Sequence, residues 1–187
     1  TYNQLKERVA EMATCYFELG MKKGDRIAIL GENRTEWVVA YLAAVTSGMV
    51  AVPVDRDLKE REVRHILDFS DTRMLVVSDS HLGKVEDAVR EIPKLELVIS
   101  MEDSGDGFTL NFQQALARGK AKLAEGDLRY AEEEVVPEDW AAIIFTSGTT
   151  GTAKGVVLTH GSITENVKGV SFNLTVANDT MLSVLPL

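Results

Sequence analysis

The chain has 187 residues, 45% of them hydrophobic, with 29 acidic against 20 basic side chains and a net charge of -9. That length and apolar content bury a sizeable core and exclude disorder, and the acidic balance excludes the basic surface that nucleic acid or an anionic membrane requires. The longest apolar run, Trp37 to Val45, falls far short of the roughly 20 residues that span a bilayer, so no transmembrane segment is expected.

In chain order, the first helix is carried by Leu5, Val9, Met12, Tyr16 and Leu19, with Thr1 and Gln4 spaced as a capping box and Gly20 placed to stop it. "DRIAIL" (25–30) reads as a short buried strand. Asn33, with Glu36 three residues on, is expected to cap a second helix that carries Trp37, Val38, Tyr41, Leu42 and Val45 and ends at Gly48. "MVAVPV" (49–54) is the second strand, with Pro53 restricting it to a strand end or a sheet edge. Asp57 with Glu60 opens a third helix bearing Val63, Ile66 and Leu67, and "MLVV" (74–77) is the third strand.

Leu82, Val85, Val89 and Ile92 mark a fourth helix that Pro93 ends, and "LELVIS" (95–100) is a fourth strand. Strands thus alternate with helices, the rhythm of βαβ units. The predicted class is α/β with a mainly parallel sheet. Residues 101–137 break the rhythm and read as a long connection, with a modest helix around Phe112, Ala115, Leu116 and Leu123 and a solvated approach at Glu132 to Glu134. "WAAIIF" (140–145) and "GVVL" (155–158) are two further strands, and Ser162 with Glu165 predicts a helix from about residue 163. Trp37 and Trp140 are expected in the core.

Cys15 is the single cysteine, which excludes an internal disulfide and is compatible with a reducing, cytoplasmic compartment; inside an amphipathic helix it is expected to be inert. His65, His81 and His160 lack the spacings of zinc ligands, so no metal site is predicted from them, and His160 is expected to pack or meet solvent. The chain begins at Thr1 without methionine and stops at "LSVLPL" with no helix stop, so a fragment of a longer protein is expected.

The chemistry concentrates in "TSGTTGTAKG", residues 146–155. A loop that binds phosphate needs backbone N–H groups that converge on oxygen, small side chains, hydroxyl donors and a cation. Gly148 and Gly151 permit close backbone approach, Thr146, Ser147, Thr149 and Thr150 supply hydroxyls, and Lys154 supplies an ammonium. It departs from a Walker loop, because Ala153 and Gly155 flank the lysine and a strand-like run follows. On composition, the alternative is a glycine-rich hairpin that holds no ligand.

The longer run "IIFTSGTTGTAKGVVLTH" resembles the phosphate-loop signature of the adenylate-forming (AMP-binding) enzyme superfamily, with Ala153 where proline is commoner. Residues 1–55 look like the opening of those enzymes' large N-terminal domain, and "GENRTEWVVAYLA" is similar to the long-chain fatty-acid CoA ligase branch. The resemblance covers nearly the whole chain. It implies an N-terminal domain fragment over residues 1–187, with the rest of that domain and a small C-terminal catalytic subdomain absent. It also implies a parent that uses ATP, Mg2+ and CoA to activate a carboxylic acid, of fatty-acid type. Thr146, Ser147, Gly148, Thr149, Thr150, Gly151 and Lys154 would hold the β- and γ-phosphates, with Lys154 catalytic. Two other readings stand beside it: a non-catalytic nucleotide- or phosphate-binding module, and an adenylation domain for an aryl or amino acid. The location implied is cytoplasmic, with the parent free to sit peripherally on a membrane. A fragment cut from its partner sheet is expected to expose an apolar face and to self-associate, as a homodimer or larger.

Overall fold

The computed structural model describes residues 1–102, 110–146 and 153–171. Seven strands form one sheet in the order β5-β4-β3-β1-β2-β6-β7. They are β1 (Arg26–Leu30), β2 (Val50–Val54), β3 (Thr72–Val77), β4 (Leu97–Ser100), β5 (Leu110–Asn111), β6 (Trp140–Thr146) and β7 (Lys154–Thr159). Every neighbouring pair is parallel except β6 with β7, which is antiparallel. The expected mainly parallel α/β class is the observed one.

Successive residues of a strand face opposite sides, and both sides of the central strands of this sheet are covered. In β1, Ile27 and Ile29 pack with helices α1 (Tyr2–Glu18), α2 (Thr35–Thr46) and α5 (Phe112–Ala124), while Ala28 and Leu30 pack with α3 (Glu60–Phe69) and α4 (Leu82–Glu91). All four of these side chains are fully buried, which is why the strand reads as an unbroken apolar run.

Helix α1 begins as expected: Thr1 Oγ1 accepts the Gln4 N–H, the Gln4 side chain returns to the chain terminus, and Gly20 follows the helix at φ +87. Three expected caps move. Arg34, not Asn33, precedes α2, in extended conformation, and its guanidinium reaches Glu36 at 2.8 Å and also Glu102. Lys59 precedes α3, its N–H donating to Glu62 Oε2 at 3.0 Å, because Asp57 is used one step earlier in a turn where its N–H donates to Asp55 Oδ1. The last helix, α7 (His160–Ser171), starts three residues before the expected position. Thr159 and Ser162 satisfy each other's N–H groups there, so Ser162 sits inside the first turn.

Pro53 lies one residue from the end of β2, inside the sheet, in line with the strand-end alternative. Among the described residues of the connection 101–137, β5 extends the sheet beside β4 and α6 (Arg129–Glu132) is added. Helix α5 packs across α1 through Gly119, where a Cβ would lie 1.7 Å from the Glu11 carbonyl oxygen, while Leu123, expected on the apolar side, is exposed. Trp37 is buried and stacks on Tyr41 at 5.4 Å between ring centroids. Trp140 overturns the expectation of a core position: it opens β6 at the sheet's rim with 52% of its surface exposed.

Candidate functional site

β6 runs parallel to β2, so its end at Thr146 emerges on the same sheet edge as the carboxyl ends of β1 to β5. β7 returns antiparallel. The pairing places Thr146 opposite Lys154, Phe145 opposite Gly155 and Ile144 opposite Val156. The first and last residues expected to hold phosphate therefore stand side by side at the carboxyl edge, both exposed. Among the described residues, no hydrogen bond or ion pair engages the Lys154 ammonium. Ser147, Gly148, Thr149, Thr150 and Gly151 lie outside the described residues.

Gly155 has a packing reason of its own. A Cβ there would come 2.9 Å from Ile143 Cγ2, so the absent side chain lets β7 close against β6 immediately after Lys154. An edge strand that carries a cation beside a hydroxyl, at the carboxyl ends of a parallel sheet, suits an anionic ligand.

The same edge carries a polar cluster that the strand-by-strand reading missed. Strand order reverses at β1, which has β2 on one side and β3 on the other, and ligand crevices of open α/β sheets form outside the carboxyl ends at such a reversal. Ser80, in a 3₁₀ turn (Asp79–His81) after β3, donates to Glu32 Oε1 at 2.6 Å, and His81 Nε2 lies 3.4 Å from the same oxygen. The Ser80 hydroxyl holds the Glu32 carboxyl well below its ordinary range, down to about 2, with Ser78 and His81 adding to the effect against partial desolvation. Glu102, after β4, accepts the Asp79 N–H at 2.7 Å and pairs with Arg34. The available signal was positional: "GENR", "SDSH" and "MED" each follow a predicted strand directly.

The isolated candidates are placed elsewhere. Cys15 is fully buried in α1, and burial pushes its thiol up to about 12, which removes the thiolate at neutral pH. His160 begins α7 at the amino edge, roughly 20 Å along the chain from Lys154 at about 3.4 Å per strand residue. Its N–H donates to the Asp139 carbonyl at 3.0 Å, and burial lowers its imidazole below the usual histidine range. His160 thus does not join Thr146 and Lys154.

The AMP-binding enzyme family matches this chain over residues 1–187. Peroxisomal long chain acyl-CoA synthetase 7 of Arabidopsis thaliana is 31% identical over 179 residues, which cover 90% of this chain and 25% of the relative. Long-chain-fatty-acid–CoA ligase 6 of Rattus norvegicus is 31% identical, covering 90% of this chain and 26% of that protein. The chain thus spans about a quarter of these curated relatives. The crystal structure of the anthranilate CoA ligase AuaEII, in complex with anthranoyl-AMP, shares the fold with TM-score 0.79 at 24% identity, over 91% of this chain and 32% of that one. With a match along its full length and relatives that are acyl-CoA ligases, the chain belongs to the AMP-binding enzyme family.

Proposed function

We propose that this chain is the opening part of the large N-terminal domain of an ATP-dependent fatty-acid CoA ligase and supplies its phosphate-binding loop. Turnover belongs to the longer protein that carries it, since the relatives are about four times its length. In the first step a carboxylate oxygen attacks the α-phosphorus of ATP, the bond to the bridging oxygen breaks, and pyrophosphate leaves. In the second, the CoA thiol loses its proton, attacks the acyl carbon and expels AMP, forming the thioester.

Charge accumulates on the departing pyrophosphate, so donors and a cation held in place there stabilise the transition state. Thr146 and Lys154 supply a hydroxyl and an ammonium facing that charge, and Ser147 to Gly151 supply the backbone N–H groups and hydroxyls between them. Mg2+ enters with the phosphates of ATP. Among the described residues no group of three or more His, Cys, Asp or Glu is placed to hold a metal ion. The observation that carries the reading is the opposition of Thr146 and Lys154 at the carboxyl edge.

The test is carboxylate-dependent exchange of labelled pyrophosphate into ATP by the full-length protein, with acids from acetate to palmitate. Exchange that rises with chain length is the expected result. Exchange with aryl or amino acids alone would reassign the substrate, and ATP binding without exchange for any acid would reduce the chain to a nucleotide-binding module.

A further inference from the structure

The facing of Lys154 depends on the register of β6 against β7, which packing holds only weakly, chiefly where Gly155 closes on Ile143. Strand pairing is strongly specified where one face is buried, because a one-residue slip moves every side chain to the other face. β7 is an edge strand in which Lys154, Val156 and Val157 are exposed and Gly155, Leu158 and Thr159 are half-buried. The pairing also contains an irregularity: Trp140 opposes Thr159 but Ala142 opposes Leu158, so one extra residue on β6 shifts the register between base and tip.

What the hairpin has is a polar clasp at its base. Asp139, the residue before β6, accepts the Val136 N–H at 2.8 Å and pairs with Lys23 Nζ at 2.7 Å. Lys23 also donates to the Glu134 carbonyl at 2.6 Å, which ties the α1–β1 connection to the approach to β6. On the exit side, the His160 and Gly161 N–H groups donate to the carbonyls of Asp139 and Pro137 at 3.0 and 2.8 Å. The same short turn thereby holds the entry to β6 and the exit from β7.

We propose that Lys23 and Asp139 are positioning residues. Their ion pair locks the turn that sets the β6–β7 register, and so keeps Lys154 beside Thr146 on the phosphate-binding side. The inference rests on the adenylation reading for its catalytic consequence, but not for its structural one.

The experiment uses the full-length protein as wild type, Asp139→Asn, Lys23→Met and Lys23→Arg. It measures pyrophosphate exchange, thermal unfolding and amide hydrogen exchange of residues 140–146 and 154–159. Asp139→Asn and Lys23→Met should lower kcat about tenfold with a smaller change in KM for ATP, as expected when a transition-state contact is misplaced and not deleted. Amides of β6 and β7 should exchange faster while those of β1 and β3 stay protected, and Lys23→Arg, which keeps the cation, should retain wild-type kcat. Wild-type kcat in both disrupting variants, or a loss that only tracks melting temperature, overturns the proposal. Should Asp139→Asn fail to fold, Lys23→Met carries the same test from a more exposed side chain. A wild type that shows no exchange defeats the adenylation reading alone; unchanged β6–β7 protection in Lys23→Met then defeats the clasp.

Discussion

Cys15 and Glu32 show how burial and hydrogen bonding set the chemistry of single residues. The Cys15 thiol is buried and pushed up to about 12, so it should resist Ellman's reagent at pH 8 in the native protein and react at once in denaturant. Rapid native labelling would mean that α1 opens. Glu32 has the opposite shift, from 4.5 to about 2, with the Ser80 hydroxyl as the main cause. A carboxylate with a depressed folded pKa stabilises the native state above its unfolded value, and that contribution is lost as pH falls through the folded one. Glu32→Gln should therefore cost stability at neutral pH, and the difference from wild type should shrink from about pH 4.5 and vanish near pH 2 in denaturant titrations. A pH-independent difference would place its effect in packing. Cys15 was readable as inert from its helix position. Glu32 was not, because its partners arrive from a turn 48 residues away, which no local spacing reveals.

Among the elements, the periodic segments were legible, but of the four expected helix caps only that of α1 held. Val63, Ile66 and Leu67 identify α3 at any register, yet its cap depended on whether Asp57 served the helix or the preceding turn, and the turn took it. β5 and α6, with two and four residues, are too short to carry a period. Packing between helices adds a constraint that composition hides. Gly119→Ala should destabilise by about 2 kcal/mol, since its Cβ meets the Glu11 backbone at 1.7 Å and α5 must shift away from α1. Gly83→Ala, in α4 with nothing within 4 Å, should instead stabilise by up to about 1 kcal/mol through helix propensity. Urea unfolding of the two variants separates them, and equal effects would refute the close approach.

Across the whole molecule, the covered sheet faces and the exposed rim have different consequences. The α/β class and parallel sheet followed from the strand–helix rhythm, whereas Trp140 misled because an apolar strand start does not say which strand lies at a rim. Phe69, Trp140 and Val157 are exposed around a shallow cavity of about 360 Å³ that Ile143 and Phe145 floor, beside the edge strand β7. The isolated 187-residue chain should therefore self-associate with rising concentration, and Trp140→Lys should reduce this; light scattering that shows a monomer throughout would contradict it.

Lys154 is proposed to face the departing pyrophosphate of an acyl-adenylating enzyme. Steady-state pyrophosphate exchange by full-length Lys154→Ala tests it most directly, with kcat and the ATP KM measured beside wild type. The expected result is a fall in kcat of about 100-fold with a much smaller rise in KM, as for a group whose interaction strengthens in the transition state. An unchanged kcat with only a raised KM would make Lys154 a binding contact with no part in transition-state stabilisation.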